Sequence, residues 1–332
     1  MVSDLSFDPS GNRLVFGFES SAQPRDAYVL DIAADKVERW TSSEPGALDI
    51  AQFVSPRFTH FPSFDREASH ARQIPVYLYE PRTAGPHPVL IVFQGDSGKG
   101  IQPKFDPWLQ YLVNDLGFAV VEPHLRGTAG YGKSFQMLDH GLLREDAIKD
   151  LGALLVWLRS QNTVDAKHIL VSGDGYGGYL ALAAIVNYGD RLQGGVVRGA
   201  ISDFPEYLSH SPPYTQNRLR ADFGDERDPD IRAYLRRISP LTNIARITTP
   251  LMIAQGVNDP QVLSTDTEAL LASLRSKGVQ VWYLQAEDGR EFLKRQNRDA
   301  YWESFARFLT TCCPSSPSPG QKADSRSTPK SP

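Results

Sequence analysis

Val171-Ser172-Gly173-Asp174-Gly175-Tyr176-Gly177-Gly178 reads as the end of a strand, a sharp turn and the start of a helix. Apolar runs on either side of it have the look of buried parallel strands: Val89–Phe93, Phe118–Val121, Ile169–Ser172, Val197–Ile201, Leu251–Ala254 and Val281–Leu284. Helical patterns lie between them. Arg144 to Arg159 places Ile148, Leu151, Leu155 and Leu158 on one face, with acidic residues in its first turn. Thr265 to Lys277 opens on Thr265-x-x-Glu268, the spacing of a capping box, and stops at Gly278. The last helix carries Tyr301, Phe305 and Phe308 inward at helical spacing. Strand and helix alternating over this length imply an α/β fold, a doubly wound, mostly parallel sheet, assigned to residues 66–312.

Residues 1–65 read differently. Leu14, Phe16 and Phe18 alternate with polar or small residues, as do Tyr28, Leu30 and Ile32, with turn signals at Asp8-Pro9-Ser10-Gly11 and around Gln23-Pro24. Roughly three strands cannot bury two faces, so this segment is no closed all-β domain. Residues 313–332 are rich in Pro, Ser and Lys without large apolar side chains, and disorder is expected there.

Composition narrows the class. Hydrophobic content of 41% and charged content of 22% are those of a water-soluble globular chain, and a net charge of -4 without a basic run argues against nucleic acid. No apolar stretch reaches the roughly 20 residues of a membrane span. Met1-Val2-Ser3-Asp4-Leu5 lacks the basic and apolar regions of a signal peptide. Cys312 and Cys313 are adjacent, which disfavours pairing, and no histidine lies at metal-ligand spacing from them. A cytoplasmic protein without metal or other cofactor is the expectation.

The turn at Gly175 has the layout G-x-S-x-G, the nucleophile elbow of α/β-hydrolases, with glycine in the nucleophile slot. Other runs fall in a characteristic order: Pro103-Lys104-Phe105-Asp106-Pro107-Trp108, Arg126-Gly127-Thr128-Ala129-Gly130-Tyr131-Gly132, Gly177-Gly178-Tyr179, Ile238-Ser239-Pro240-Leu241, Gln255-Gly256-Val257-Asn258-Asp259-Pro260 and Phe292 with Asn297-Arg298. In these motifs, from about residue 5 to 310, the chain resembles the prolyl oligopeptidase family of serine peptidases, in particular its acylaminoacyl-peptidase and dipeptidyl-aminopeptidase-like members.

The resemblance implies an α/β-hydrolase domain preceded by a β-propeller. Asp8-Pro9-Ser10-Gly11 and Asp26–Asp31 resemble parts of one terminal propeller blade, so residues 1–65 are expected to form a partial blade and connector. The resemblance also places the triad. The acid falls at Asp259, the histidine at Arg290 (Asp288-Gly289-Arg290-Glu291-Phe292 against a family E-G-H-G-F), and the nucleophile at Gly175. Glycine has nothing to attack with, and a guanidinium stays protonated and cannot act as a base. None of the seven histidines lies beyond Asp259.

An oxyanion hole needs the N–H of the residue after the nucleophile, here Tyr176, and one from an early loop. That loop reads Gln94-Gly95-Asp96-Ser97 where the family has H-G-G-P, and a carboxylate on Asp96 would oppose the developing negative charge. Among substitutes, Ser172 reads as a strand residue facing the sheet. Asp174 precedes the turn, and Cys312 and Cys313 lie beyond the last helix pattern. His124, just past a strand, is the best spare histidine, although a hydrogen-bonded structural role suits it better.

Arg290 beside Asp259 is expected to form an ion pair in place of the Asp–His hydrogen bond. The Arg126–Gly132 run reads as architecture, and Trp108, Trp157 and Trp282 as core. The expected function is a serine-peptidase-like α/β-hydrolase without catalysis that retains a cleft for a peptide, a small acyl ligand or a partner subunit. The alternatives are serine-type peptidase or esterase activity through unconventional groups, and a truncated gene product without independent function.

Overall fold

The computed structural model describes residues 1–46, 48–94 and 100–314. The expected disorder of the tail and the reading of Gly95 and Asp96 therefore fall outside the described residues, apart from Cys313 and Pro314.

Four strands, β1 (Val2–Phe7), β2 (Arg13–Ser20), β3 (Gln23–Asp31) and β4 (Lys36–Arg39), form a small antiparallel sheet in chain order. That is one strand more than the sequence pattern suggested, and as many as one propeller blade has. The β1–β2 turn is built by Asp8, whose carboxylate accepts from the amides of Asn12 and Arg13, both at 3.0 Å. Gln23-Pro24, expected to lie in a turn, instead opens β3, where Gln23 pairs with Ser20. Proline is tolerated at a strand's beginning. The buried Gln110 joins this sheet to the rest: its amide nitrogen donates to the carbonyls of Ser21 (2.8 Å) and Val54 (2.9 Å), and its oxygen accepts from the Val54 amide at 2.9 Å.

The main sheet has eight strands: β5 (Arg57–Glu67), β6 (His70–Tyr79), β7 (His87–Phe93), β8 (Ala119–Pro123), β9 (Val164–Asp174), β10 (Gly194–Arg198), β11 (Leu251–Gly256) and β12 (Val281–Ala286). Their order is β12-β11-β10-β9-β7-β8-β6-β5. β6 runs antiparallel to both its neighbours, β5 and β8, and the other neighbouring pairs are parallel. The helices among the described residues are α1 (Pro107–Asn114), the short α2 (Lys133–Gln136), α3 (Arg144–Leu158), α4 (Tyr176–Tyr188), α5 (Phe204–His210), α6 (Pro213–Phe223), α7 (Pro229–Ile238), α8 (Ser264–Ser276) and α9 (Arg295–Cys312). This is the mostly parallel α/β-hydrolase sheet that the alternation of strands and helices implied.

Both faces of the sheet are covered, which explains why its strands read as continuous apolar runs. In β7, Val89, Ile91 and Phe93 join one core with α3, α4 and α8, and Leu90 joins the other with α1 and α9. Trp108, Trp157 and Trp282 pack against these cores.

Two boundaries differ from expectation. The strand expected over Val197–Ile201 is β10, Gly194–Arg198, three residues earlier. It ends at Gly199, whose φ of +50° leaves the extended region, and a Cβ there would stand 2.7 Å from an Asp259 oxygen. The capping box at Thr265 does not form: α8 starts at Ser264 behind Leu263, which supplies no side-chain cap. Elsewhere Asp106 caps α1 by accepting from the amides of Trp108 (2.8 Å) and Leu109 (3.3 Å).

Between the sheet, α1 and α9 lies a cavity of about 280 Å³ into which β8 brings Glu122. Burial, with the charge of Asp106 adding to it, pushes the Glu122 carboxyl up to about 7, against hydrogen bonds from Tyr79 and Gln94. An unfolded glutamate titrates near about 4.3, so between the two values the folded chain binds the extra proton. The Glu122 contribution is therefore fully present below the unfolded value and is lost as pH rises toward the folded one. Denaturant titrations from about pH 5 to 8 should show a fall on the order of 3 kcal/mol from this group, and Glu122→Gln should abolish that part of the slope. An unchanged slope in the variant would assign the pH dependence to other groups.

Candidate functional site

The turn between β9 and α4 lies at the C-terminal edge of the parallel strands, where open α/β sheets bind ligands. Gly175 is buried there with φ 53° and ψ -115°, a combination open to glycine and strained for other residues. Its amide donates to the Arg198 carbonyl at 3.0 Å, and its carbonyl accepts from the amides of Tyr179 (3.1 Å) and Ile201 (3.3 Å). The neighbouring glycines serve close approach: a Cβ on Gly177 would meet the Phe93 carbonyl oxygen at 2.4 Å, and one on Gly173 the Gly177 backbone at 2.3 Å. The strand, turn and helix expected from the sequence are present with the backbone of an elbow.

A cleft of about 410 Å³ opens above this turn. Gln94, Asp174, Gly175 and Tyr176 line one part of it, Tyr207, Arg218, Leu219, Asp222 and Phe223 another, and Gln261, Arg290 and Glu291 a third. Gly175, Tyr176 and Arg290 thus meet in one cleft, and Asp259 stands immediately behind Arg290.

Arg290 grips Asp259 in a two-point ion pair, Nε to Oδ2 at 2.7 Å and Nη2 to Oδ1 at 3.0 Å. Nη1 donates to Gln261 Oε1 at 3.1 Å. The carboxylate also accepts from the amides of Gln261 (2.9 Å) and Val262 (3.2 Å). Its side chain is 1% exposed and that of Arg290 17%. The pair expected from the substitution is present, and it saturates the carboxylate.

Tyr176 is the first residue of α4, so its N–H has no carbonyl partner within the helix. Its side chain runs the other way, into a network the sequence did not reveal. Arg144, fully buried, donates to Tyr176 Oη and to Asp139 Oδ2, both at 2.9 Å, and to the carbonyl and Oδ1 of Asp222, again at 2.9 Å. Its guanidinium also lies 4.4 Å from the Phe223 ring centroid. Burial pushes the Tyr176 phenol well above its ordinary value, keeping it neutral. One signal was available: an arginine in a helix's first turn opposes the macrodipole and needs a compensating partner.

Asp139, His140 and Asp222 can each bring one ligand atom within 4.8 Å of the others. The Arg144 guanidinium already occupies both carboxylates of that set.

The substitutes fall elsewhere. His124 is buried against Phe58, Tyr77 and Tyr131, shares a hydrogen bond between its Nδ1 and the Tyr131 hydroxyl (2.6 Å) and is absent from the lining of the cleft. Burial, with the charge of His60 adding, pushes it down to about 4, so it is neutral at pH 7. Ser172 lines the cavity beside α1 and α9. Asp174 is paired with Arg198. Cys312 is the last residue of α9, and both cysteines are free. Arg126 is buried and clamps Asp150 (Nε–Oδ2 2.8 Å, Nη2–Oδ1 2.7 Å) and Asp65 (2.9 Å), which makes the Arg126–Gly132 loop architecture.

Breaking the Arg290–Asp259 pair leaves a nearly inaccessible carboxylate with two amides and no cation. Arg290→Ala should lower stability by about 3 kcal/mol in denaturant titrations, and Arg290→Ala with Asp259→Asn should recover most of that loss. Additive losses in the double variant would mean that the two groups are not coupled.

The profile of the prolyl oligopeptidase family matches residues 103–315. Dipeptidyl aminopeptidase BIII of Pseudoxanthomonas mexicana is 28% identical over 249 residues, covering 71% of this chain and 36% of that protein. Dipeptidyl peptidase family member 6 of Caenorhabditis elegans is 26% identical over 323 residues, covering 89% of this chain and 43% of its own length. Among solved structures, puromycin hydrolase superposes with a TM-score of 0.81 at 20% identity over 93% of this chain and 46% of that one. Pyrococcus horikoshii acylaminoacyl peptidase does so with a TM-score of 0.78 at 20% identity over 93% and 49%. The chain thus spans less than half the length of these proteins, and at such identity the structures speak for the fold. No described helix is long and apolar enough to cross a membrane. The family profile covers well over half of the chain and includes the turn at Gly175, the pair at Asp259 and Arg290 and the helices around the cleft; the chain belongs to the prolyl oligopeptidase family, with an altered residue set at its catalytic cluster.

Proposed function

We propose that this chain is a non-catalytic member of its family that holds a peptide or small acyl ligand in the retained cleft. In this reading Gly175 stands at the nucleophile position, Arg290 at the position of the base, Asp259 is the retained acid, and the Tyr176 amide is one oxyanion donor. Gly95 and Asp96, assigned to the other side of the oxyanion hole, lie outside the described residues.

The observation that carries the reading is the ion pair. Arg290 is fastened to Asp259 by two hydrogen bonds and to Gln261 by a third, so the acid's hydrogen-bonding capacity is spent on a permanent cation. A guanidinium cannot take a proton from a nucleophile, and Gly175 presents none. Loss of triad members leaves only the weak acceleration supplied by oxyanion and binding contacts. The relatives named for dipeptidyl and acylaminoacyl peptidase activity support a peptide or acylated peptide as the class of ligand.

Two measurements test this. The wild-type chain should take no label from a fluorophosphonate probe, and heat-sensitive labelling would refute the reading. Gly175→Ser with Arg290→His, and with Asp96→Gly added where needed, should hydrolyse p-nitrophenyl esters at least about a thousandfold faster than wild type. The serine enters a left-handed backbone position at a cost of about 1 kcal/mol, which the fold carries. If even the triple variant stays inert, the cleft has diverged beyond the two side chains.

A further inference from the structure

Among the described residues, five charged side chains line the cleft: Asp174, Arg218, Asp222, Arg290 and Glu291. Three are engaged. Asp174 pairs with Arg198, Asp222 with Arg144 (2.9 Å), and Arg290 with Asp259 (2.7 Å). Arg218, on α6, and Glu291, between β12 and α9, are exposed and make no hydrogen bond or ion pair among the described residues. They are one cation and one anion, contributed by separate segments of the fold to one cleft.

We infer that the cleft takes a short peptide with both termini free, its carboxylate held by Arg218 and its ammonium by Glu291. This assignment rests on the ligand-binding reading above and adds to it the class of ligand and the two residues that select it. The surroundings suit the carboxylate end. The guanidinium charges of Arg218 and Arg290 both reach the Tyr207 hydroxyl, where they oppose the rise that burial causes in its pKa. Of the five N–H donors of Arg290, three are committed to Asp259 and Gln261. Two remain uncommitted on a side chain that is 17% exposed and lines the cleft. A segment within a protein chain carries neither terminal charge and would leave Arg218 and Glu291 unanswered. A ligand charged at one end would answer only one of them. The cleft, at about 410 Å³, is of the size that small ligands occupy.

Isothermal titration of the full chain with Ala-Ala, N-acetyl-Ala-Ala and Ala-Ala-amide tests the assignment. Ala-Ala should bind most tightly, and capping either end should weaken binding about tenfold, the effect of one charge-assisted contact. Arg218→Gln should remove the preference for Ala-Ala over its amide and keep the preference over the acetylated form. Glu291→Gln should do the reverse. Both positions are exposed, so neither substitution threatens the fold. Equal affinities for the three peptides would overturn the assignment and leave the ligand-binding cleft standing. No binding by any of them at millimolar concentration would remove both.

Discussion

A carboxylate withdrawn from water must be answered by a cation and a full set of donors, or it costs several kcal/mol and disrupts its surroundings. That constraint organises the ground beneath the cleft. Asp150 is answered by Arg126, Asp139 and Asp222 by Arg144, Asp174 by Arg198, and Asp259 by Arg290. Arg126, Arg144 and Arg198 are themselves buried. They tie the segment after β8 to α3, the end of β9 to that of β10, and the start of α4 to α3 and α6, so ion pairs hold the floor of the cleft together. Arg290 extends this pattern to Asp259 at the edge of the cleft.

Seen this way, the two changes at the altered cluster differ in kind. Gly175 occupies a backbone conformation that a serine would occupy under strain, and it leaves the turn's hydrogen bonds intact. Its effect is on the backbone, where glycine adopts the conformation without strain. Arg290 is a permanent charge that binds Asp259 at two points, so it contributes to the forces holding the ends of β11 and β12 together. The glycine contributes a backbone conformation, and the arginine a charge.

The sequence disclosed the larger elements because their causes are local. Apolar runs in Val89–Phe93 and Leu251–Ala254, the Tyr301/Phe305/Phe308 spacing and the glycines of the turn each carry their own physical signature, and each lies where it was expected. The misses have tertiary causes. β10 starts at Gly194 because its neighbours Leu170 and Leu251 set the register, and it stops at Gly199 because the Asp259–Arg290 pair occupies the space a side chain would need. Gln23-Pro24 reads as a turn from composition, yet pairing with Ser20 makes it the start of a strand. Thr265 has the spacing of a cap, but α8 begins one residue before it.

By itself the sequence determined the doubly wound α/β arrangement and the turn at Gly175, and its motif order carried the resemblance that singled out Gly175, Arg290 and Asp259, since periodicity and motif order are properties of the chain. Only the tertiary structure decided how those positions are occupied. That Arg290 closes on Asp259, that Arg144 rather than solvent meets the Tyr176 hydroxyl, that His124 lies among aromatic rings away from the cleft, and that Arg218 and Glu291 form no ion pair among the described residues all depend on distances between segments far apart in sequence. A side chain's charge is written in the chain, whereas its partner is chosen by packing.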